Sequence, residues 1–291
     1  MANTHKKASS GRRRGRLWIC PTGPFVHLPL HASGTYAKDG SECLSDYFVT
    51  SYTPTLGALI HARASLKAPS RTNIKVLLAA VSNPFKWKSL PNADSEIASI
   101  REVIPTGVVV NAAPAGDSAS AASVLESVPR AAILHLACHG FQSSGNPLDS
   151  GFVMCDEMLT MSKLMALNLP DAFLAFLSAC ETAKGDDKQP DQAINLASTM
   201  LFAGFKSVVG TMWYANLMIG IYAVNSTLLF RSMEDVDGPI VAKRVYEELF
   251  RGDGELLNPD TIPYALDEAM HDLRRQGLHV SRWAPYVHLG V

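Results

Sequence analysis

The chain carries two apolar runs that each stop at a side chain able to do chemistry. AAILHLACHG (131–140) ends on His139 and Gly140, and AFLAFLSACET (172–182) ends on Cys180, Glu181 and Thr182. Neither run holds a charge before its end, which is the pattern of a strand buried on both faces. In open parallel sheets the reacting groups lie just outside the carboxyl ends of the strands. A thiol has an ordinary pKa of about 8.5, so it needs a neighbouring base to become a nucleophile near neutral pH. His139 facing Cys180 would supply that base, and the pair would attack a carbonyl carbon. The oxyanion formed needs N–H donors. Gly140 can let its backbone approach a substrate oxygen closely, and the N–H of Cys180 lies beyond its strand. A plainer reading uses the same residues: Cys180 as a buried thiol and His139 as a ring that satisfies a loop carbonyl.

Nearby residues carry weaker signals. His135 and His139 are four apart, a metal-ligand spacing on a helix, but Leu136 stands where the zinc-protease pattern has glutamate, and the segment reads as strand. Ser178 lacks the G-x-S-x-G context of a nucleophile. Cys138 should face away from His139. Glu181 and Thr182 are candidates for orienting the imidazole or shaping a substrate pocket. Asp149, Asp186, Asp187 and Asp191 lie in polar loops around the pair, with Asp191 the candidate for a basic substrate side chain. The five cysteines are widely spaced with no CxxC pair, so no metal and no cofactor is expected.

Positioning these residues requires a scaffold of alternating strands and helices. Strands are expected at 73–82, 107–111, 131–139, 172–178 and 207–213, with a small edge strand at 151–155. Helices are expected from about Thr55, and over 92–104, 118–128, 160–167, 191–203, 240–251 and 263–276. Asn92 or Asp94 is the expected cap of the second, and Gly204 the expected end of the fifth. Two short runs around Pro-Thr-Gly-Pro, 17–21 and 25–30, read as a hairpin. The alternation predicts a mostly parallel sheet covered on both faces.

The 291 residues, 47% hydrophobic and 18% charged, are enough for one large core. Residues 1–16 hold six basic residues and no acid, which leaves 20 basic against 27 acidic residues in the rest. The body is therefore acidic, and nucleic-acid binding by it is not expected. The arm, residues 1–15, has the composition of a disordered tail. It lacks a signal-peptide core. Unpaired cysteines fit a reducing cytoplasm, with nuclear import through the arm as an alternative.

At the HG and SACET motifs the sequence resembles the CHAT domain family, a caspase-like family of the separase clan, in particular its fungal members. The matching stretches are LWICPTGPFVHLPLHA (17–32), DYFVTSYTPTLGALIHARAS (46–65), ILHLACHG (133–140), FLSACETAKGD (176–186), PDQAINLASTMLFAGFKSVVGTMW (190–213) and DGPIVAKRVYEELF (237–250). The resemblance implies a caspase-like three-layer α/β/α sandwich over 16–291. It also implies His139 as general base, Cys180 as nucleophile and Gly140 as an oxyanion contact. The implied activity is that of a cysteine endopeptidase on protein or peptide substrates; the alternative is a non-catalytic interaction module with the same fold. Family members usually carry the domain after helical repeats, which implies either a stand-alone domain or a fragment, with a helical-repeat regulatory partner as one candidate.

One stretch departs from the family pattern. YANLMIGIYAVNSTLLFR (214–231) separates GTMW from the acidic segment that usually follows it. Residues 207–230 carry no charge and are long enough to cross a membrane, but a span directly after a core strand is not expected. The stretch reads as a loop insertion or as a translated intron: Trp213-Tyr214 gives a donor-like G-GTA, and Phe230-Arg231 can give an acceptor-like TTC-AGG. Removing 214–231 restores the family pattern in frame.

Overall fold

Four apolar segments that lack clean alternation become neighbouring inner strands, as segments buried on both faces should, and the fifth, at 109–111, takes the edge of the same sheet. The computed structural model describes residues 14–37, 40–113, 118–143, 145–178, 196–212 and 237–291. In it the chain forms an eight-stranded sheet from β1 (Gly15–Ile19), β4 (Phe48–Tyr52), β5 (Val76–Ala80), β6 (Val109–Asn111), β7 (Ile133–Ala137), β11 (Leu174–Ser178), β12 (Ser207–Thr211) and β13 (Tyr286–Gly290). The spatial order is β1-β4-β13-β12-β11-β7-β5-β6. All pairings are parallel except β12 with β13. Two smaller sheets accompany it: the hairpin β2 (Gly34–Ala37) and β3 (Gly40–Cys43), and the antiparallel β8 (His139–Phe141), β9 (Gly151–Val153) and β10 (Met158–Thr160).

The helices are α1 (Leu56–Ala64), α2 (Ala93–Arg101), α3 (Ala121–Ser127), α4 (Met161–Met165), α5 (Leu196–Phe202), α6 (Asp237–Phe250), α7 (Thr261–Arg275) and α8 (Val280–Trp283). Thr55 caps α1 by accepting from the Ala58 N–H at 3.0 Å. Asn92 holds the N-cap position of α2 without a side-chain cap bond. Gly204, at φ 121°, takes the left-handed turn that ends the α5 segment. The buried stripes Val241, Ala242, Val245, Tyr246 and Leu249 on α6, and Ile262, Ala265, Leu266, Ala269 and Leu273 on α7, recur at helical spacing. They seat α6 against α2 and β11, and α7 against β4 and β13. The result is a three-layer α/β/α sandwich of caspase-like type with a mostly parallel central sheet.

Several expectations need correction. The runs 17–21 and 25–30 do not form a hairpin; the first belongs to β1, which pairs in parallel with β4, and a short 3-10 turn follows at Gly23–His27. The strand expected at 131–139 breaks at Cys138, so His139 opens β8 in a different sheet. The expected free arm ends earlier than residue 15. Gly15 opens β1, and Arg14 forks onto the Asp267 carboxylate and the Ser45 carbonyl. β4 and β13 were not foreseen, because Ser51 and His288 interrupt their apolar pattern. Those two side chains face each other inside the sheet, His288 Nδ1 to Ser51 Oγ at 2.8 Å.

Candidate active site

The register brings three strand ends level. Ala80 of β5 is opposite Ala137 of β7, and Ala137 is opposite Ser178 of β11. His139 lies two residues past Ala137, and Cys180 two residues past Ser178. Neighbouring strands run about 4.8 Å apart. Cys180, Glu181, Thr182, Asp186, Asp187 and Asp191 lie outside the described residues, as do 214–231 and most of the basic arm.

His139 is half-buried, and its ring is fixed from one side by the loop between β5 and α2. Nε2 lies 2.6 Å from the Lys88 carbonyl oxygen, and the ring packs 5.5 Å from Trp87 at a tilt of 31°. A carbonyl oxygen only accepts, so Nε2 carries a hydrogen, and in the neutral ring the lone pair is on Nδ1. This is the protonation pattern a general base needs. The loop is tied to its own root. The Leu90 N–H donates to Ser82 O at 2.7 Å, Ser89 Oγ donates to Ser82 O and Asn83 Oδ1, and Ser82 Oγ donates to Asp94. Lys86 adopts φ 66°, an uncommon conformation for a residue with a Cβ. Trp87 of this loop and Phe141 of β8, ring centroids 6.2 Å apart, present an exposed aromatic rim beside the imidazole, and Phe85 is exposed on the same loop. The Lys88 carbonyl was not foreseeable, since a backbone oxygen leaves no mark on residue type. Gly140 is buried within β8, in register with Phe152.

The other candidates separate from His139. His135 is fully buried in β7 and stacks on Phe176 of β11 at 4.9 Å. Its Nε2 is 3.2 Å from Glu96 Oε1 of α2, within ion-pair reach but without hydrogen-bond angles. Tyr246 of α6 brings its hydroxyl to 3.4 Å from His135 Nδ1. Burial, then the Glu96 charge, pushes the Tyr246 phenol well above its ordinary pKa, so it stays a donor. Ser178 Oγ donates to Glu96 Oε2 at 2.7 Å. The hydroxyl is committed to this bond and is not presented as a nucleophile. Gly238 leaves room for the cluster: a Cβ there would stand 2.7 Å from Glu96 Oε2 and 3.1 Å from Ser178 Oγ. The cluster joins α2, β7, β11 and α6 just beneath the strand ends. The missed residues are Glu96, Ser178 in this role, and Tyr246; a glutamate buried at 2% exposure in a helix is legible only from the packing.

Cys138 is buried, Asp149 is exposed on a short turn, and Cys20 is exposed at the far side of the sheet sequence. Among the described residues no group of three or more His, Cys, Asp and Glu could hold a metal ion. No helix among them is long and apolar enough to cross a membrane. The first part of the uncharged stretch, Ser207–Thr211, is the core strand β12.

This geometry agrees with two kinds of likeness. Crystal structures of the Saccharomyces cerevisiae separase–securin complex superpose with TM-scores of 0.53 and 0.51 at 15% identity. They cover 85% and 86% of this chain, while the chain spans 14% of the separase chain. No curated protein matches the chain. The CHAT domain model matches residues 3–219, about three quarters of the length. The chain belongs to the CHAT domain family.

Proposed function

We propose that this chain is a cysteine endopeptidase of caspase-like type acting on protein substrates, with His139 as base and Cys180 as nucleophile. The observation that carries the reading is the Nε2–H bond from His139 to the Lys88 carbonyl, at strand ends held in register. In the neutral ring this bond leaves Nδ1 as the nitrogen that would take the proton of the Cys180 thiol. In the reaction, Nδ1 takes the Sγ proton and the thiolate adds to the scissile carbonyl carbon. The N–H groups of Gly140 and Cys180 would donate hydrogen bonds to the developing oxyanion. The imidazolium then protonates the leaving amine as the C–N bond breaks. Water, deprotonated by the same imidazole, adds to the thioester, and the carboxylic acid leaves as the thiol is restored. The aromatic rim of Trp87 and Phe141 fits an apolar part of the substrate. Glu181, Thr182 and Asp191 are proposed to shape the same pocket from the other side, and the reading needs no cofactor.

The same hydrogen bond also favours a second reading, a binding module that keeps the fold. A histidine spent on a loop carbonyl satisfies its polar atoms without catalysis. The separase in the similar structures is held with securin; by analogy, this chain would work with a protein partner in either reading. The two are separated by the thiol itself. In a Cys20→Ser background, which removes the exposed competing thiol, Cys180 should react with iodoacetamide at least about tenfold faster than Cys43, Cys138 or Cys155. His139→Ala should slow it. Peptide cleavage should be lost in Cys180→Ala and follow a bell-shaped pH profile belonging to the pair. A slow thiol indifferent to His139, together with no cleavage of a peptide library, establishes the module instead.

A further inference from the structure

The opposite edge of the central sheet holds a groove of different character. It is a cavity of about 270 Å³, lined by Lys67, Lys75, Arg130 and Lys206 against a single carboxylate, Asp171. The pairing register explains how they meet. Val76, Ile133, Leu174 and Ser207 stand side by side at the starts of β5, β7, β11 and β12. Lys75 and Lys206 immediately precede two of these residues, and Arg130 and Asp171 each stand three residues before the others. Lys67 comes from the segment after α1 that covers the groove. Three strand starts thus deliver cations, and the fourth Asp171, to one concave place that Lys67 also lines, in a body whose charge is otherwise acidic.

The cations are largely uncommitted. Among the described residues neither Lys67 nor Lys206 has an ion pair or a side-chain hydrogen bond. Lys75 spends one of its three donors on the Gly107 carbonyl at 3.1 Å. Arg130 has only a loose, exposed pair with Glu126 at 3.8 Å. Lys206 is half-buried, and desolvation lowers its pKa. A bound anion would be attracted to all four cations at once. The wall has no aromatic ring on which a base could stack. Its volume equals roughly nine waters at about 30 Å³ each, room for a compact group and not for a folded partner.

We propose that this groove is a binding site for a compact multivalent oxyanion of the phosphate class, separate from the His139 site. The anion would sit between the Lys206 and Lys75 ammoniums, with Arg130 and Lys67 closing on it from the rim. Its source is either a free phosphorylated small molecule or a phosphorylated peptide segment.

The test uses the whole chain and inorganic pyrophosphate, titrated calorimetrically at low salt. Binding should saturate near one per chain and weaken at high salt, because these charges are screened. Lys206→Gln should weaken it about tenfold, the loss of one charge-assisted contact. Lys75→Gln/Arg130→Gln, which alters only exposed side chains, should do the same without touching the half-buried lysine. Lys243→Gln, on α6 and paired with Glu102, should leave binding unchanged. A peptide with two adjacent phosphoserines, competed against pyrophosphate, identifies the source: displacement marks a phosphorylated chain, and its absence a small molecule. No saturable binding, or equal binding in wild type and both groove variants, overturns the proposal.

Discussion

Among the described residues the imidazole of His139 is held by a hydrogen bond to a backbone oxygen and by the Trp87 ring, and the two have different measurable consequences. Lys88→Ala keeps the carbonyl and should leave the Cys180 alkylation rate within about twofold. Trp87→Ala removes the ring that packs 5.5 Å from the imidazole and should slow alkylation roughly tenfold by loosening its orientation. Equal effects of the two substitutions would mean that the Lys88 side chain, not its carbonyl, matters. Beneath the site, Glu96 accepts from Ser178 and faces His135 in a dry environment. Glu96→Ala would remove the acceptor of the half-buried Ser178 hydroxyl and the carboxylate beside the fully buried His135, at a cost of about 2–4 kcal/mol in urea unfolding. Glu96→Gln should cost less, since its amide oxygen can still accept from Ser178. A loss below about 1 kcal/mol for Glu96→Ala would show that water replaces the carboxylate.

Among the elements, the link between β12 and α6 carries the clearest expectation. Strand-to-helix connections in α/β units usually take about 2–6 residues. The chain places 25 residues, Met212 to Val236, between Thr211 and Asp237. Both ends are well seated: β12 is fully buried, and Asp237 at the start of α6 is held by Arg282 through two hydrogen bonds of 2.8 and 2.6 Å. Deleting Tyr214–Arg231 leaves seven residues to join them. The shortened protein should be more soluble and should melt several degrees higher, because an uncharged apolar stretch is an aggregation hazard. Thermal unfolding and light scattering of both forms decide it. If the deletion unfolds the domain, the stretch is a working part of the fold and not a translated intron.

For the molecule as a whole, buried histidines set a dependence on pH. His31 is fully buried, its Nδ1 2.8 Å from the Tyr52 hydroxyl, and desolvation pushes its pKa down from 6.5 to about 4. The unfolded chain therefore binds a proton there that the folded chain does not. Its stabilising effect is complete above about pH 6.5 and is lost as pH falls toward 4, by ~2 kcal/mol at pH 5. His288 shifts in the same direction, from burial and then the nearby Arg16 charge. Asp267 acts oppositely. Burial pushes it up to about 7 despite Arg14, so its contribution is present at low pH and fades as pH rises through 7. The His31 part is isolated by comparison: the stability gap between wild type and His31→Gln should narrow by ~2 kcal/mol between pH 7.5 and pH 5. A constant gap would mean that His31 protonates without unfolding.

Residue order alone determined the elements whose signals are local. Helix α1 follows from Thr55 as a cap, α6 and α7 from apolar side chains at helical spacing, and β5, β7, β11 and β12 from short runs without charge. The HG and SACET motifs singled out His139 and Cys180, and with them the family, because those residue types sit at strand ends in a fixed order. Tertiary structure decided what depends on distant pairing. It split the run 131–139 at Cys138, placed β13 antiparallel beside β12, and joined β4 to β13 through Ser51 and His288. It also brought the Lys88 carbonyl to His139 across 51 positions of sequence, Glu96 to Ser178 across 82, and four cations to one sheet edge. Periodicity and caps are properties of a few consecutive residues, so they can be read along the chain. A backbone acceptor has no residue signature, and a buried glutamate or a cluster of lysines acquires its meaning only when register sets its neighbours.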